Sequence, residues 1–207
     1  MADRLAADED SGVAPSTELL LRTTEAAKRA IRAGQFAPTF RLQDLHGGSV
    51  SLLDLIERGP LVVSFYRGLW CSFCDTAIEA LAGIGDKIHA LGAAHVAIGP
   101  PPGDSRQQDR LDIFPMPILI DRGLRVSSAY GLTIELPDDL REQYATAGYV
   151  PPNTTESGKW LVPIPATYLI DRTGRIVMAA IDIDYRNRIA PSQILSALRS
   201  LQRRAVA

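Results

Sequence analysis

The sequence predicts an α/β fold in which a central mixed sheet is flanked by helices, and three observations carry that reading. Short apolar runs at 61–66, 95–98, 117–120, 166–170 and 176–181 alternate, up to the last pair, with segments of helical period. Such alternation is the pattern of parallel strands joined by helical crossovers. The first run, Leu61-Val62-Val63-Ser64-Phe65-Tyr66, is apolar on both faces, as a central strand must be. It leads into Cys71-Ser72-Phe73-Cys74, which holds the only two cysteines of the 207-residue chain, and then into a helical pattern.

The elements follow in order. Residues 1–16 are polar, Ala/Asp-rich and aperiodic, so a disordered start is expected. Within 17–34, Leu20, Thr24, Ala27 and Ile31 fall on one face and Gly34 supplies a C-cap, which predicts an N-terminal helix. Its stripe must dock on the main domain, 35–207, or on a second subunit. Phe40 and Leu42, then Val50 and Leu52, alternate with polar residues around His46-Gly47-Gly48 and read as a β-hairpin. A short helical segment, 53–58, is stopped by Gly59-Pro60.

Beyond the cysteines, Phe73, Ala77, Leu81, Ile84, Ile88 and Leu91 recur at threes and fours, which predicts one helix of about five turns ending at Gly92. A strand at 95–98, a short polar helix at 104–112, a strand at 117–120 and a short helix at 124–130 come next. The stretch from Leu132 to Trp160 reads as a polar connection with one helix over 138–147, and connections this long in compact domains are functional or mobile. Segments 166–170 and 176–181 flank Asp171-Arg172-Thr173-Gly174-Arg175 as a terminal antiparallel hairpin, and Pro191 opens a last amphipathic helix.

Charge and cysteine usage narrow the function. A net charge of −2 and a pI near 5.9 argue against nucleic acid or an anionic membrane as main partner. The apolar runs are too short to span a bilayer, and the acidic N-terminus has no apolar leader core, so a cytoplasmic protein is expected. On that reading the Asn153-Thr154-Thr155 glycosylation pattern carries no meaning. In a reducing compartment a lone C-x-x-C serves redox work, a metal or nothing. A structural zinc site needs further ligands, and no second cysteine pair exists, while His46, His89 and His95 lack ligand spacing. No metal and no other cofactor is expected, and the histidines read as hairpin, helix and strand residues.

At a strand-to-helix junction the unpaired N–H groups of the first helical turn stabilise a thiolate, so Cys71 and Cys74 are the candidate catalytic residues. Two cycles fit the pair. A thiolate oxidised by peroxide becomes a sulfenic acid that the neighbouring thiol condenses to a disulfide. A thiolate attacking a substrate disulfide is resolved by its neighbour, releasing reduced product.

The element order resembles the thioredoxin fold in its peroxiredoxin-type elaboration, with an N-terminal hairpin and insertions, over roughly Gly34 to Leu201. The matching segments are Ala37-Pro38-Thr39-Phe40-Arg41-Leu42, Leu61 to Tyr66, the cysteine motif, and Ala166 to Gly174 with its following strand. The motif Phe65-Tyr66-Arg67-Gly68-Leu69-Trp70-Cys71-Ser72-Phe73-Cys74 is a hybrid. It is most similar to peroxiredoxin-like proteins of the AhpC/TSA type that carry FYRGxWCxxC. The resemblance to peroxiredoxins puts Cys74 at the peroxidatic position, with Cys71 where those proteins carry a threonine. The resemblance to thioredoxins, through Trp70-Cys71, makes Cys71 the attacking residue instead.

Two departures accompany the resemblance. Arg67 replaces the proline that follows Phe-Tyr in peroxiredoxins, and Pro165 stands where their strand arginine is expected. A proline at that place is what thioredoxins use in cis, so Ile164-Pro165 is expected to be a cis bond. Arg67, Trp70 and Pro165 are therefore supporting candidates: a charge to hold a thiolate, a substrate platform, and the loop residue beside the cysteines. Asp184-Tyr185-Arg186-Asn187-Arg188 resembles a segment of the same relatives, but no mechanism follows from it. The resemblance implies a thiol-dependent antioxidant oxidoreductase that reduces a small hydroperoxide, with a thiol reductant such as thioredoxin, and a possible homodimer. The alternatives are a thioredoxin-type thiol–disulfide oxidoreductase and a non-catalytic thioredoxin-fold interaction domain.

Overall fold

The computed structural model describes residues 17–146, 149, 159–184 and 186–206. The N-terminal stretch 1–16, the 153–155 tripeptide and Tyr185 lie outside the described residues.

A seven-stranded sheet forms the centre. Its strands are β1 (Arg41–Asp44), β2 (Ser49–Ser51), β3 (Leu61–Phe65), β4 (Ala94–Gly99), β5 (Ile118–Ile120), β8 (Ala166–Ile170) and β9 (Ile176–Ile181), arranged β2-β1-β5-β4-β3-β8-β9. The β3, β4 and β5 strands pair in parallel, and all other pairings are antiparallel, which makes the sheet mixed as expected. β3 lies fifth of seven, inside the sheet between β4 and β8, and residues of alternate parity feed opposite cores: Leu61, Val63 and Phe65 one, Val62 and Tyr66 the other. That alternation is why the run had to be apolar throughout.

The helices cover both faces. α1 (Thr17–Arg29), α2 (Leu52–Arg58), α6 (Arg125–Ala129) and α7 (Asp138–Thr146) pack on the first core. α3 (Ser72–Ala82), α4 (Gly85–Ala90), α5 (Ser105–Asp112) and α8 (Pro191–Val206) pack on the second. Local chemistry places several of them. Ser51 caps α2 by accepting from the Asp54 N–H at 3.2 Å. Buried Asp121, at the end of β5, accepts from the Val126 and Ser127 N–H groups at 3.1 and 2.8 Å and anchors α6.

Three expectations change. The helix predicted over 73–91 is two helices, because Ile84 leaves the helical region and Gly85 approaches β4 so closely that a Cβ there would lie 2.9 Å from the His95 ring. The helix predicted over 17–34 ends at Arg29, and its buried line runs through Leu19, Thr23, Ala26, Ala27 and Ala30, one position off the Leu20–Thr24 stripe. It docks on the main domain, with the Ile31 N–H donating to Tyr130 O at 3.0 Å. The 132–160 connection is no plain loop. It carries β6 (Thr133–Glu135) and α7, and β6 pairs antiparallel with β7 (Leu161–Pro163) as a separate two-stranded sheet against which α1 packs.

Among the described residues, no helix is long and apolar enough to cross a membrane.

Candidate active site

β3 carries the chain to the site, and the Tyr66 N–H extends its pairing by donating to Ile98 O at 3.0 Å. The ring of Tyr66 lies flat against Gly99, where a Cβ would be 2.4 Å from Tyr66 Cζ, so β4 needs a glycine at this crossing. The turn that follows needs another. Gly68 has φ +131 and a Cβ there would sit 2.5 Å from the Trp70 indole nitrogen.

Cys71 is the N-cap of α3, in extended backbone at φ −106, ψ 107, and its carbonyl accepts from the Cys74 N–H at 2.9 Å. Cys74 lies in the first turn of the helix. Both are free thiols, Cys71 3% exposed and Cys74 fully buried. The thiol of Cys71 is pulled down to about 6, first by its hydrogen bond with Cys74, against burial, and then by the charge of Arg67. The Cys74 thiol is pushed well up, first by burial and then by the Cys71 sulfur beside it. Burial, and then Cys74, also push the Tyr66 phenol up.

Four of the residues singled out in the sequence converge. The Arg67 N–H donates to Cys74 Sγ at 3.3 Å, and its side-chain Nη1 reaches Cys71 Sγ at 3.9 Å. Although charged, Arg67 is only 3% exposed. The Trp70 indole N–H donates to Arg67 O at 3.1 Å while its ring lies 4.7 Å beneath the Arg67 guanidinium. Pro165 is buried and lines a narrow crevice together with Arg67, Leu19 and Ile183. Its peptide bond is trans, contrary to the cis expectation, as are all peptide bonds among the described residues. The strand geometry accommodates the trans form: Pro165 sits between β7 and β8, and its carbonyl accepts from the Asp182 N–H at 2.9 Å.

Two site residues were not foreseen. Tyr144 of α7 accepts from Arg67 Nη2 at 2.5 Å and packs its ring 5.0 Å from that of Trp70. Tyr149 adds a further ring at 5.2 Å, so the insertion lays an aromatic cover over the motif. From the other side, Arg188 Nη2 donates to Cys74 Sγ at 3.4 Å. Arg188 lies within the 184–188 run that the sequence flagged without a mechanism, whereas nothing in the sequence distinguished Tyr144 from any helix aromatic. Among the described residues no cluster of His, Cys, Asp and Glu could hold a metal ion.

A buried dithiol at the N-terminus of the helix that follows a central strand of a mixed sheet defines a thiol-dependent oxidoreductase of the thioredoxin fold. Comparison with known proteins makes this more specific. Residues 33–179 match the AhpC/TSA family model, and the chain belongs to that family. It is 23% identical to the thiol-disulfide oxidoreductase ResA of Bacillus thuringiensis over 154 residues, covering 73% of this chain and 71% of the relative. Against ResA of Halalkalibacterium halodurans it is 30% identical over 103 residues, or 49% and 57% of the two chains. The fold is similar to the solved structure of peroxidoxin BcpB from Mycobacterium tuberculosis, with a TM-score of 0.61 at 21% identity over 82% of this chain and 97% of that one. The thioredoxin domain of a thiol-disulfide oxidoreductase from Bacteroides vulgatus aligns with a TM-score of 0.52 at 16% identity, over 83% and 99% of the two chains.

Proposed function

We propose that the chain reduces disulfide substrates through Cys71 as attacking thiolate and Cys74 as resolving thiol. The observation that carries this reading is the asymmetry of the pair: Cys71 is held near 6 while burial keeps Cys74 protonated. The Cys71 thiolate attacks one substrate sulfur, a mixed disulfide forms, and the leaving thiolate takes up a proton. Cys74 then gives up its proton and attacks Cys71 Sγ, which releases the second substrate thiol and closes the Cys71–Cys74 disulfide. Two electrons and two protons reach the substrate, and a thiol reductant such as thioredoxin restores the dithiol.

In this scheme Arg67 stabilises the Cys71 thiolate by charge, and Trp70 and Pro165 shape the approach to it. The reading places the protein in a reducing compartment such as the cytoplasm, where the dithiol is the resting form. The relatives named thiol-disulfide oxidoreductase ResA support the disulfide-reducing chemistry. The test is an insulin-type disulfide reduction assay: activity abolished by Cys71→Ser supports the reading, and activity independent of Cys71 overturns it.

A second reading keeps the same pair for hydroperoxide reduction. It is favoured by the Phe65-Tyr66 register to Cys74 and by the two donors on Cys74 Sγ, the Arg67 N–H and Arg188. Here the Cys74 thiolate attacks the terminal peroxide oxygen, the alcohol leaves with a proton, and Cys71 condenses with the sulfenic acid to release water. A sulfenic-acid probe decides it. Labelling of Cys74 in Cys71→Ser after peroxide supports this cycle; peroxide oxidation no faster than that of a free thiol removes it.

A further inference from the structure

Behind the dithiol, on the face of the sheet opposite the aromatic cover, lies a cavity of about 280 Å³ between α3 and α8. That volume falls just under the roughly 300–1,000 Å³ usual for small-molecule pockets. One wall is the outer side of α3, with Phe73, Ala77 and Ala80; the other is the entry to α8, with Ile189 and Ile194. Its floor carries the hydroxyls of Ser64 and Thr167, 3.4 Å apart across β3 and β8. Among the described residues its charged lining is two guanidiniums, Arg186 and Arg188.

The composition of that lining is selective. The small side chains of Ala77 and Ala80 leave the groove open along the helix, where larger residues would have filled it. Among the described residues no carboxylate lines it: Asp184 binds Arg186 through Nη2 at 2.7 Å from outside the lining, and Asp182 faces Arg188 from the end of β9. Arg188 is half-buried and already donates to Cys74 Sγ, so it is positioned and partly dehydrated before any ligand arrives. A cationic fork beside an apolar slot matches a molecule with a short hydrocarbon body and one anionic, planar, two-oxygen head.

We propose that this cavity binds a small amphipathic carboxylic acid, its hydrocarbon body lying between Phe73, Ala77 and Ile194 and its carboxylate on Arg188 and Arg186. The site adjoins the dithiol without including either cysteine, because Phe73 is an internal residue of the C-x-x-C and Arg188 touches the Cys74 sulfur. Its existence does not depend on which redox cycle the pair performs.

The experiment is calorimetric titration of the reduced full-length chain with n-octanoate. The expected result is saturable one-to-one binding, with octan-1-ol, the same body without the charge, at least about tenfold weaker. Ala77→Leu and Ala80→Phe, which fill the slot, each lower octanoate affinity by about tenfold or more while disulfide reduction by the variant is kept, which also reports folding. Arg188→Gln weakens octanoate and leaves octan-1-ol unchanged. Absence of saturation below about 10 mM octanoate, equal binding of octanoate and octan-1-ol, or indifference to both filling substitutions overturns the proposal. Loss of disulfide reduction with octanoate binding intact would instead count against the redox reading alone.

Discussion

Tyr144 accepts a hydrogen bond from Arg67 Nη2 at 2.5 Å, a contact that spans 77 positions of sequence. Through it a residue of the insertion holds the cation that stabilises Cys71. The electrostatics of the dithiol, set first by the two cysteines on each other and by burial, are thus also tuned from outside the C-x-x-C, and the expected consequences are measurable.

Alkylation of Cys71 by iodoacetamide should follow its thiolate, rising as pH passes about 6 and levelling above it. Arg67→Gln removes a cause of the lowering, so the midpoint moves upward and the rate at pH 6 drops about three- to tenfold. At high pH the two proteins converge. Peptide mapping of the alkylated chain checks the order, with Cys74 modified last.

Tyr144→Phe should cost about 1.5–3 kcal/mol, the range for a hydrogen bond to a charged group, because it removes the hydroxyl that accepts from the buried Arg67 guanidinium. Tyr144→Ala should cost more and should also let a bulky maleimide reach Cys71 faster. Urea unfolding and maleimide kinetics measure the two effects separately.

Gly99→Ala should destabilise the fold by about 1–3 kcal/mol, since the new methyl meets the Tyr66 ring. The cost should shrink in a Tyr66→Ala background, where the ring is absent. A double-mutant cycle by chemical denaturation tests that coupling.

His95 is 2% exposed, neither ring nitrogen has a partner among the described residues, and burial, then His89, lowers it to about 4 from the usual 6.5. The unfolded chain therefore takes up a proton that the folded chain refuses, and stability falls as pH drops through the window from 6.5 to about 4. His95→Leu should flatten that part of the profile, measured as thermal midpoints across the same window.

The architecture was legible where the sequence pattern is local. The β1–β2 hairpin, the β3–β4–β5 series and the β8–β9 hairpin follow from apolar runs and turn residues, and Arg67, Trp70, Cys71 and Cys74 are neighbours because one strand-turn-helix carries them. What failed was decided at a distance. Periodicity alone continues the helix through Ile84, but His95, on another strand, requires Gly85 to close in. Sequence spacing put Leu20 in the α1 stripe, while packing on β6 selected Leu19. Pro165 stood in the right place for a cis bond, yet its neighbours accommodate it in trans. Tyr144 reaches Arg67, and Arg188 the Cys74 sulfur, only through tertiary folding, so no spacing rule could have named their targets.

The insertion of β6, α7 and β7 has one more consequence, and it concerns time rather than energy. Cys71 is 3% exposed, and its neighbour Trp70 is packed against the rings of Tyr144 and Tyr149. On the proposed disulfide-reducing reading, a disulfide on another protein reaches so buried a sulfur only through a local opening of the structure around it. Turnover with such large substrates would then run at the pace of that opening, whereas on the hydroperoxide reading a small oxidant would need a lesser one, and one chain would keep two clocks for two sizes of partner.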